Sequence, residues 1–388
     1  MLYTSGSTGQ PKGVCVSHRA LSNYLDHVVR SYFGVAPLNG AVVSTSLSFD
    51  ATITSLFGPL CVGQPALLLQ TDDAAGLARL ALEPTARLFK LTPSQLVALL
   101  AYAAGQMSAA EHLFVVGGEQ LPAALVERAL EILPNATFVN EYGPTEATVG
   151  CTTAWASLAS GIPEWRGTMT IGHPIHGSAI AILRPDGSQA ETGEEGEVVI
   201  SGLGIAQGYL NRPDLDATAF APLNGHPSYR TGDRALRLPN GELAYLGRAD
   251  EQIKLNGYRM EPGEIEAAMS ALSGVQSASV LPHNGQLVGF YSGPVTPDSL
   301  RAHLAERLPA HMRPARLIAL PSLPLTANGK TDRAALTQTL GQIVDLHPTH
   351  AHAPATATVV AASATLNTLS GYFSEVLGYD IEPDQHFF

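Results

Sequence analysis

The segment Tyr3-Thr4-Ser5-Gly6-Ser7-Thr8-Gly9-Gln10-Pro11-Lys12-Gly13 holds four aliphatic hydroxyls, several glycines and a single lysine. Glycine lets backbone N–H groups approach a ligand closely, the hydroxyls can bond its oxygens, and Lys12 supplies positive charge. Those parts suit a polyphosphate. By composition alone, the stretch is equally a flexible Ser/Gly-rich loop. It is not a Walker loop: G-x4-G-K-[ST] needs glycine where Pro11 stands and Ser or Thr where Gly13 stands.

Such chemistry needs a framework to hold it. With 388 residues, the chain has room for two or three domains. A composition of 45% hydrophobic and 14% charged residues supports a sizeable core and excludes a disordered tail. A net charge of -12 and a pI near 5.5 argue against nonspecific nucleic-acid or anionic-membrane binding, which needs a basic surface. The three cysteines, Cys15, Cys61 and Cys151, have neither metal nor disulfide spacing, so a reducing, cytoplasmic setting is expected. The first residues lack the basic and apolar regions of a signal peptide. No apolar run reaches the roughly 18 residues of a membrane span.

Apolar runs alternate with helix-like stretches from Ser17 to Asn140. Ser17 is expected to cap a helix reaching about Phe33. Further helices are expected at Ala51–Cys61, from Thr92-Pro93, and at Pro122–Leu133. Strands are expected at Ala41–Thr45, Ala66–Leu69, Arg87–Lys90, Leu113–Val116 and Thr137–Asn140. This alternation predicts a parallel sheet wrapped by helices, with ligands beyond the carboxyl ends of its strands. Gly117-Gly118-Glu119 and Tyr142-Gly143-Pro144-Thr145-Glu146 follow two of those ends. Residues 168–247 change to short β runs with turn signals at Asp186-Gly187 and Asn240-Gly241. A small α+β unit is expected over 250–340, with a helix at Gly263–Leu272 and another at Asp298–Leu308 preceded by Thr296-Pro297. Residues 341–365, rich in Ala, Thr, Pro and His, read as a linker, and helical spacing resumes in 366–388.

The opening loop resembles the phosphate loop of the adenylate-forming superfamily, and further motifs follow in that family's order. They are Ser48-Phe49-Asp50-Ala51, Asn140-Glu141-Tyr142-Gly143-Pro144-Thr145-Glu146, and the Gly196–Leu210 stretch. Next come Tyr229-Arg230-Thr231-Gly232-Asp233 and Gly247-Arg248-Ala249-Asp250-Glu251-Gln252-Ile253-Lys254. Leu308-Pro309-Ala310-His311-Met312 and Asn328-Gly329-Lys330-Thr331-Asp332-Arg333 close the series. Taken together, the chain resembles an adenylation domain of a nonribosomal peptide synthetase. The implied fold is α/β of the adenylate-forming type. A large subdomain of parallel sheets with helices plus a small β-barrel spans 1–249, and a small α+β subdomain spans 250–340. Family members carry substantial sequence before the phosphate loop, so the large subdomain is expected to be incomplete here. Residues 366–388 resemble the start of a peptidyl carrier domain without its attachment serine.

The resemblance implies roles residue by residue. Thr4, Ser5, Gly6, Ser7, Thr8, Gly9 and Lys12 are expected to cradle the ATP phosphates. Asn140 and Tyr142 would contact adenine, and Gly117 and Gly118 would leave it room. Thr145 would contact the α-phosphate and Glu146 would bind Mg²⁺, which takes one or two carboxylates besides substrate phosphates. Asp233 would accept the ribose hydroxyls, with Arg248 beside it. Asp250 is the expected hinge, and Gly257 is expected in the pantetheine channel. Lys330 would bridge the substrate carboxylate and the nucleotide, offsetting repulsion as an anion attacks the α-phosphate.

Asp50 would pair with a substrate α-ammonium, which favours an amino acid over the acids of CoA ligases. The other pocket positions carried over are Ala51, Thr54, Lys90, Phe114, Val116, Glu141, Val149 and Gly150. The set resembles asparagine-activating domains at Asp50, Thr54, Lys90, Glu141, Val149, Gly150 and Lys330, and departs at Ala51, Phe114 and Val116. A side-chain amide placed between Lys90 and Glu141 would accept from one and donate to the other. Aspartate would leave a buried group unpaired, at about 1–3 kcal/mol. The expected reaction is ATP-dependent activation of L-asparagine, followed by transfer to the phosphopantetheine of a carrier, with other synthetase modules as partners. An acyl-CoA ligase and an inactive nucleotide-binding fragment are the rivals. Lys330→Ala in the full-length protein is expected to abolish adenylate formation; undiminished formation would remove the assignment.

Overall fold

The computed structural model describes residues 1–345 except 5–10, 36, 72, 249–252, 256–257 and 325–330. The chain divides into two compact units, Met1–Ala268 with Pro282–Gln286, and Met269–Leu281 with the residues from Leu287 onward.

In the first unit β1 (Leu2–Thr4) and β2 (Lys12–Val14) form an antiparallel hairpin with Thr4 opposite Lys12. Ser17 caps α1 (His18–His27), its side chain accepting from Ala20 N. The helix continues as expected to Phe33, but Val28–Phe33 is π-helical. Then follow β3 (Ala41–Val43), α2 (Thr52–Cys61), β4 (Ala66–Leu68), α3 (Ala74–Leu82), β5 (Leu88–Leu91) and α4 (Pro93–Tyr102). The series goes on through β6 (Leu113–Gly117), α5 (Ala123–Ile132), β7 (Thr137–Tyr142) and β8 (Thr152–Ala156). The short hairpin β9 (Glu164–Trp165) and β10 (Thr168–Met169) precedes β11 (His173–Pro174). Thr92 caps α4 with a full capping box, the Gln95 side chain answering its backbone N–H. Helix α3, capped by Asp73, and strand β8 lie outside the expected set.

One seven-stranded sheet is the frame, in the order β11-β8-β7-β6-β5-β3-β4. Strands β3 to β7 run parallel, and β8 and β11 extend the sheet antiparallel. Helices cover both faces, as a parallel sheet requires. On one face Phe89, Phe114 and Phe138 share a rung and stack, with centroids 4.8 and 5.0 Å apart. There they pack with Leu77 of α3, Leu96 and Leu99 of α4, and Val126 of α5. On the other face Leu88, Val115 and Val139 pack against Tyr24, Val28 and Tyr32. Successive side chains of a strand alternate between these faces.

The β-rich region is a four-stranded antiparallel meander of β12 (Ser178–Leu183), β13 (Glu195–Gly202), β14 (Ser228–Arg237) and β15 (Leu243–Arg248). Helix α6 (Pro213–Ala219) falls between β13 and β14. Asn240-Gly241 turns the β14–β15 hairpin, and Asp186-Gly187 makes a tight turn after β12 that brings Gln189 beside Leu183, their glycines at φ 87° and 82°. The hairpin β16 (Ile253–Leu255) and β17 (Tyr258–Met260) leads to α7 (Pro262–Ser270). The remaining elements are β18 (Ser277–His283), β19 (Gln286–Ser292), α8 (Pro297–Arg307), β20 (Arg316–Ala319) and α9 (Arg333–Asp345). Thr296 caps α8 through Ser299 N, and Phe290, Leu336 and Leu340 share a core. No helix among the described residues is long and apolar enough to cross a membrane.

Phe114→Ala removes the middle ring of the stacked rung. It is expected to cost about 3–5 kcal/mol in denaturant unfolding while leaving relative selectivity among substrates unchanged.

Candidate active site

Fully buried strands are normally apolar throughout, and two charges break that rule here. Lys90 of β5 and Glu141 of β7 are buried, and Lys90 Nζ donates directly to Glu141 Oε2. Tyr32 donates to Glu141 Oε1 at 2.6 Å, and the Tyr24 hydroxyl lies 3.0 and 3.1 Å from the two carboxylate oxygens. Burial alone would raise the Glu141 carboxyl. The Lys90 ammonium and the Tyr32 hydroxyl overcome it, holding the group below the ordinary glutamate value. Burial and the nearby carboxylate push both tyrosines well above the usual phenol range, so they remain donors.

Gly150 and Gly117 make room for this cluster. A Cβ on Gly150 would lie 2.5 Å from Glu141 Cδ, and one on Gly117 would lie 2.4 Å from the Glu141 carbonyl and 3.6 Å from Lys90 Nζ. Asp50 lies just before α2, with the Thr145 side chain among the groups that lower its carboxyl; it is not the helix cap, which is Ala51. Burial pushes the Asp50 carboxyl up to about 6, against the opposing influence of the Thr145 side chain and the Lys90 charge. Thr54 is fully buried, its hydroxyl 2.6 Å from that of Tyr24. Thr148 and Val149 both adopt left-handed backbone, at φ 61° and 70°, which is uncommon for β-branched residues. Thr148 Oγ1 donates to the Gly204 carbonyl at 2.6 Å and anchors that turn.

A second cluster lies where β7 meets the meander. Tyr142 donates to Asp233 Oδ2 at 2.6 Å, while Tyr245 and Arg248 reach Asp233 Oδ1 at 3.2 and 3.0 Å. Asp233 and Arg248 are register partners across β14 and β15. Asn140 donates both amide hydrogens, to the carbonyls of Met169 and Thr170, which turns its Oδ1 the other way. Glu146 is fully buried and accepts from Tyr209 at 2.7 Å, and Lys12 Nζ lies 4.8 Å above the Tyr209 ring. The stem of the opening loop is therefore joined to Thr145-Glu146 through Tyr209. Thr4 Oγ1 is buried with no hydrogen-bond partner among the described residues, as an oxygen intended for a ligand would be.

The sequence-derived set divides accordingly. Asp50, Ala51, Thr54, Lys90, Glu141, Val149 and Gly150 belong to the first cluster or its walls. Asn140, Tyr142, Thr145, Glu146, Asp233, Arg248, Thr4 and Lys12 belong to the second or to its link with Tyr209. Phe114 and Val116 are corrected: the pleat turns both onto the opposite face, into the core with α4 and α5. Val115, level with Lys90, and Gly117 take their places. Gly117 thus belongs beside the Glu141 backbone rather than a base, and Gly118 takes left-handed backbone at φ 88°. The expected gap between Lys90 and Glu141 is closed by direct contact. Ser5, Gly6, Ser7, Thr8, Gly9, Asp250, Gly257 and Lys330 lie outside the described residues, as do 346–388. Tyr24, Tyr32 and Tyr209 escaped the motif comparison because they fall outside its motifs or at unassigned positions within them.

Asp50→Asn tests the electrostatics. Asp50 is protonated in both folded and unfolded chains below about pH 4, so its charge has no effect there. Between about pH 4 and 6 the unfolded chain gives up this proton while the folded chain keeps it, so stability falls by about 3 kcal/mol relative to a neutral side chain and levels off above 6. The variant is expected to melt higher at pH 8, with no such gain at about pH 4.

These features meet known relatives. The AMP-binding enzyme family matches residues 1–210, and the AMP-binding enzyme C-terminal domain matches residues 264–330. Tyrocidine synthase 2 of Brevibacillus parabrevis is 37% identical over 358 residues, 87% of this chain but 9% of that protein. Surfactin synthase subunit 2 of Bacillus subtilis is 37% identical over 352 residues, 87% of this chain and 10% of that protein. The chain thus spans about a tenth of the length of these two relatives. The adenylation domain AlmE of Vibrio cholerae, in complex with glycyl-adenosine-5'-phosphate, superposes with TM-score 0.76 at 26% identity, over 88% of this chain and 66% of that one. An NRPS protein containing adenylation and PCP domains, bound to a vinylsulfonamide inhibitor, superposes with TM-score 0.75 at 29% identity, over 98% and 63%. The chain belongs to the AMP-binding enzyme family, the adenylate-forming ligases, and is homologous to peptide synthetases.

Proposed function

We propose that this chain activates an amino acid with a neutral, hydrogen-bonding side chain, L-asparagine first, as its adenylate. The observation that carries the reading is the charge count of the buried pocket. Asp50 and Glu141 are negative and Lys90 is positive, leaving one negative charge for a substrate α-ammonium to balance. A side-chain amide keeps the balance and offers an oxygen to Lys90. A second carboxylate would add a buried charge without a partner, which is costly.

Asp50 would hold the α-ammonium, leaving the α-carboxylate to attack the α-phosphate of ATP. The carboxyl oxygen forms the new bond to phosphorus as pyrophosphate leaves, giving aminoacyl-AMP. Thr145 would donate to the phosphate, Asp233 and Arg248 would position the ribose, and Asn140 would offer its turned Oδ1 to the base. The glycyl adenylate bound by the Vibrio cholerae relative supports this chemistry. Among the described residues no group of three or more His, Cys, Asp or Glu could hold a metal by itself. Glu146 as a single carboxylate fits Mg²⁺, which arrives with nucleotide phosphates and offsets their charge. The second half-reaction is inferred to pass the acyl group to the phosphopantetheine thiol of a carrier domain, releasing AMP. The carrier-containing relative supports that reading.

Amino-acid-dependent pyrophosphate exchange is the test. Exchange is expected to be strongest with asparagine, with kcat/KM at least about tenfold lower for aspartate. Since Asp50 must be ionised to pair with ammonium, kcat/KM should fall up to tenfold per unit as pH drops below about 6. Stronger exchange with aspartate would overturn the substrate.

A further inference from the structure

Three donors converge on the Glu141 carboxylate: the hydroxyls of Tyr24 and Tyr32 and the ammonium of Lys90. A carboxylate offers about four lone-pair sites. With Tyr24 reaching both oxygens, little capacity remains for a donor from a substrate. Lys90 has three N–H groups and gives one to Glu141, its one hydrogen bond among the described residues.

Convergence of the two phenols depends on an irregular backbone. Residues eight apart on a regular α-helix end roughly 80° apart around the axis, at 3.6 residues per turn. The π-helical stretch Val28–Phe33 takes up extra residues per turn and swings Tyr32 back toward the face that carries Tyr24. Both rings are fully buried against the sheet, and Tyr32 packs against Trp155, with centroids 5.8 Å apart. π-Helical turns are rare and frequently mark functional sites.

We propose that Tyr24 and Tyr32 are positioning residues for side-chain selectivity. They keep Glu141 ionised and its lone pairs filled, so that Lys90 alone addresses the substrate side chain through an acceptor oxygen. Acidic side chains are then refused by charge, because the fixed Glu141 carboxylate already neutralises Lys90. This rests on the pocket reading given above. Removing the hydroxyls would let Glu141 take up a proton at higher pH. Lys90 would then be left as an unbalanced cation that welcomes a carboxylate.

The test uses Tyr24→Phe, Tyr32→Phe and the double variant in the full-length protein, measured by pyrophosphate exchange. Each single change is expected to raise the KM for the preferred amino acid about tenfold, with kcat and the KM for ATP within about twofold. In the double variant, the ratio of kcat/KM for aspartate over asparagine should climb at least about tenfold between pH 8 and 6, while the wild-type ratio stays flat. In a Glu141→Gln background the same phenylalanine changes should have less than about a twofold effect, since the hydroxyls act through that carboxylate. Melting curves check folding, and the single variants serve if the double variant does not fold. An unchanged KM and pH profile in the single variants, or full effects persisting beside Glu141→Gln, would sink the proposal. If the wild type prefers another amino acid, the asparagine assignment fails alone. The clamp is then read from the KM for that amino acid.

Discussion

A salt bridge inside a parallel sheet constrains the rest of this molecule. Lys90 and Glu141 are the charged residues of two buried strands, where an isolated charge would cost several kcal/mol. Their mutual contact answers part of that cost, and the phenols of Tyr24 and Tyr32 answer more of it at Glu141. Local choices follow from this. Position 150 has no space for a Cβ, position 117 must leave the Glu141 carbonyl its place, and α1 must depart from regular geometry to deliver its second tyrosine. Breaking such a pair from one side typically costs about 3–5 kcal/mol. Its presence therefore argues for selected chemistry rather than for stability.

Strand β7 explains how one sheet serves two clusters. Asn140 and Tyr142 turn toward one side, where Met169, Thr170 and Asp233 receive them. Glu141, between them, turns to the other side, toward Lys90 and α1. The pleat alone separates these neighbours. The 3₁₀ turn Thr145–Ala147 that follows supplies the connection: Thr145 meets Asp50 of the first cluster, and Glu146 meets Tyr209 near the second. A chain segment this short leaves little freedom for either cluster to shift without the other.

Much of this was legible because it depends on local rules. Ser17, Thr92 and Thr296 announce their helices by hydroxyl capping, and Asp186-Gly187 and Asn240-Gly241 announce turns by their left-handed glycines. Lys90 and Glu141 were found from motif position, but their direct contact was not, since it depends on strand register. The error at Phe114 and Val116 has the same origin. A one-residue slip along β6 exchanges the faces, and Leu113-Phe114-Val115-Val116 is apolar at every position, so no alternation signals the frame. The π-helical turn and the left-handed Val149 are tertiary compromises without a residue-type signature. Glycine or asparagine would have signalled the latter, but valine hides it.

Three buried carboxylates, Asp50, Glu141 and Glu146, interact electrostatically here, yet their surroundings differ. Glu141 has an ammonium and two phenols, and Glu146 has Tyr209 among its contacts. Asp50 has only the influence of the Thr145 side chain and the Lys90 charge to set against burial, and its proton is held to about pH 6. An incoming ammonium therefore gains most at Asp50, where the protein's own compensation is weakest. That difference gives the site a direction. In the proposed reading the α-ammonium would settle at Asp50, the side chain would extend toward Lys90, and the α-carboxylate would remain free to react. Had Asp50 been as well satisfied as Glu141, the pocket would be more stable and a poorer judge of which end of an amino acid enters first.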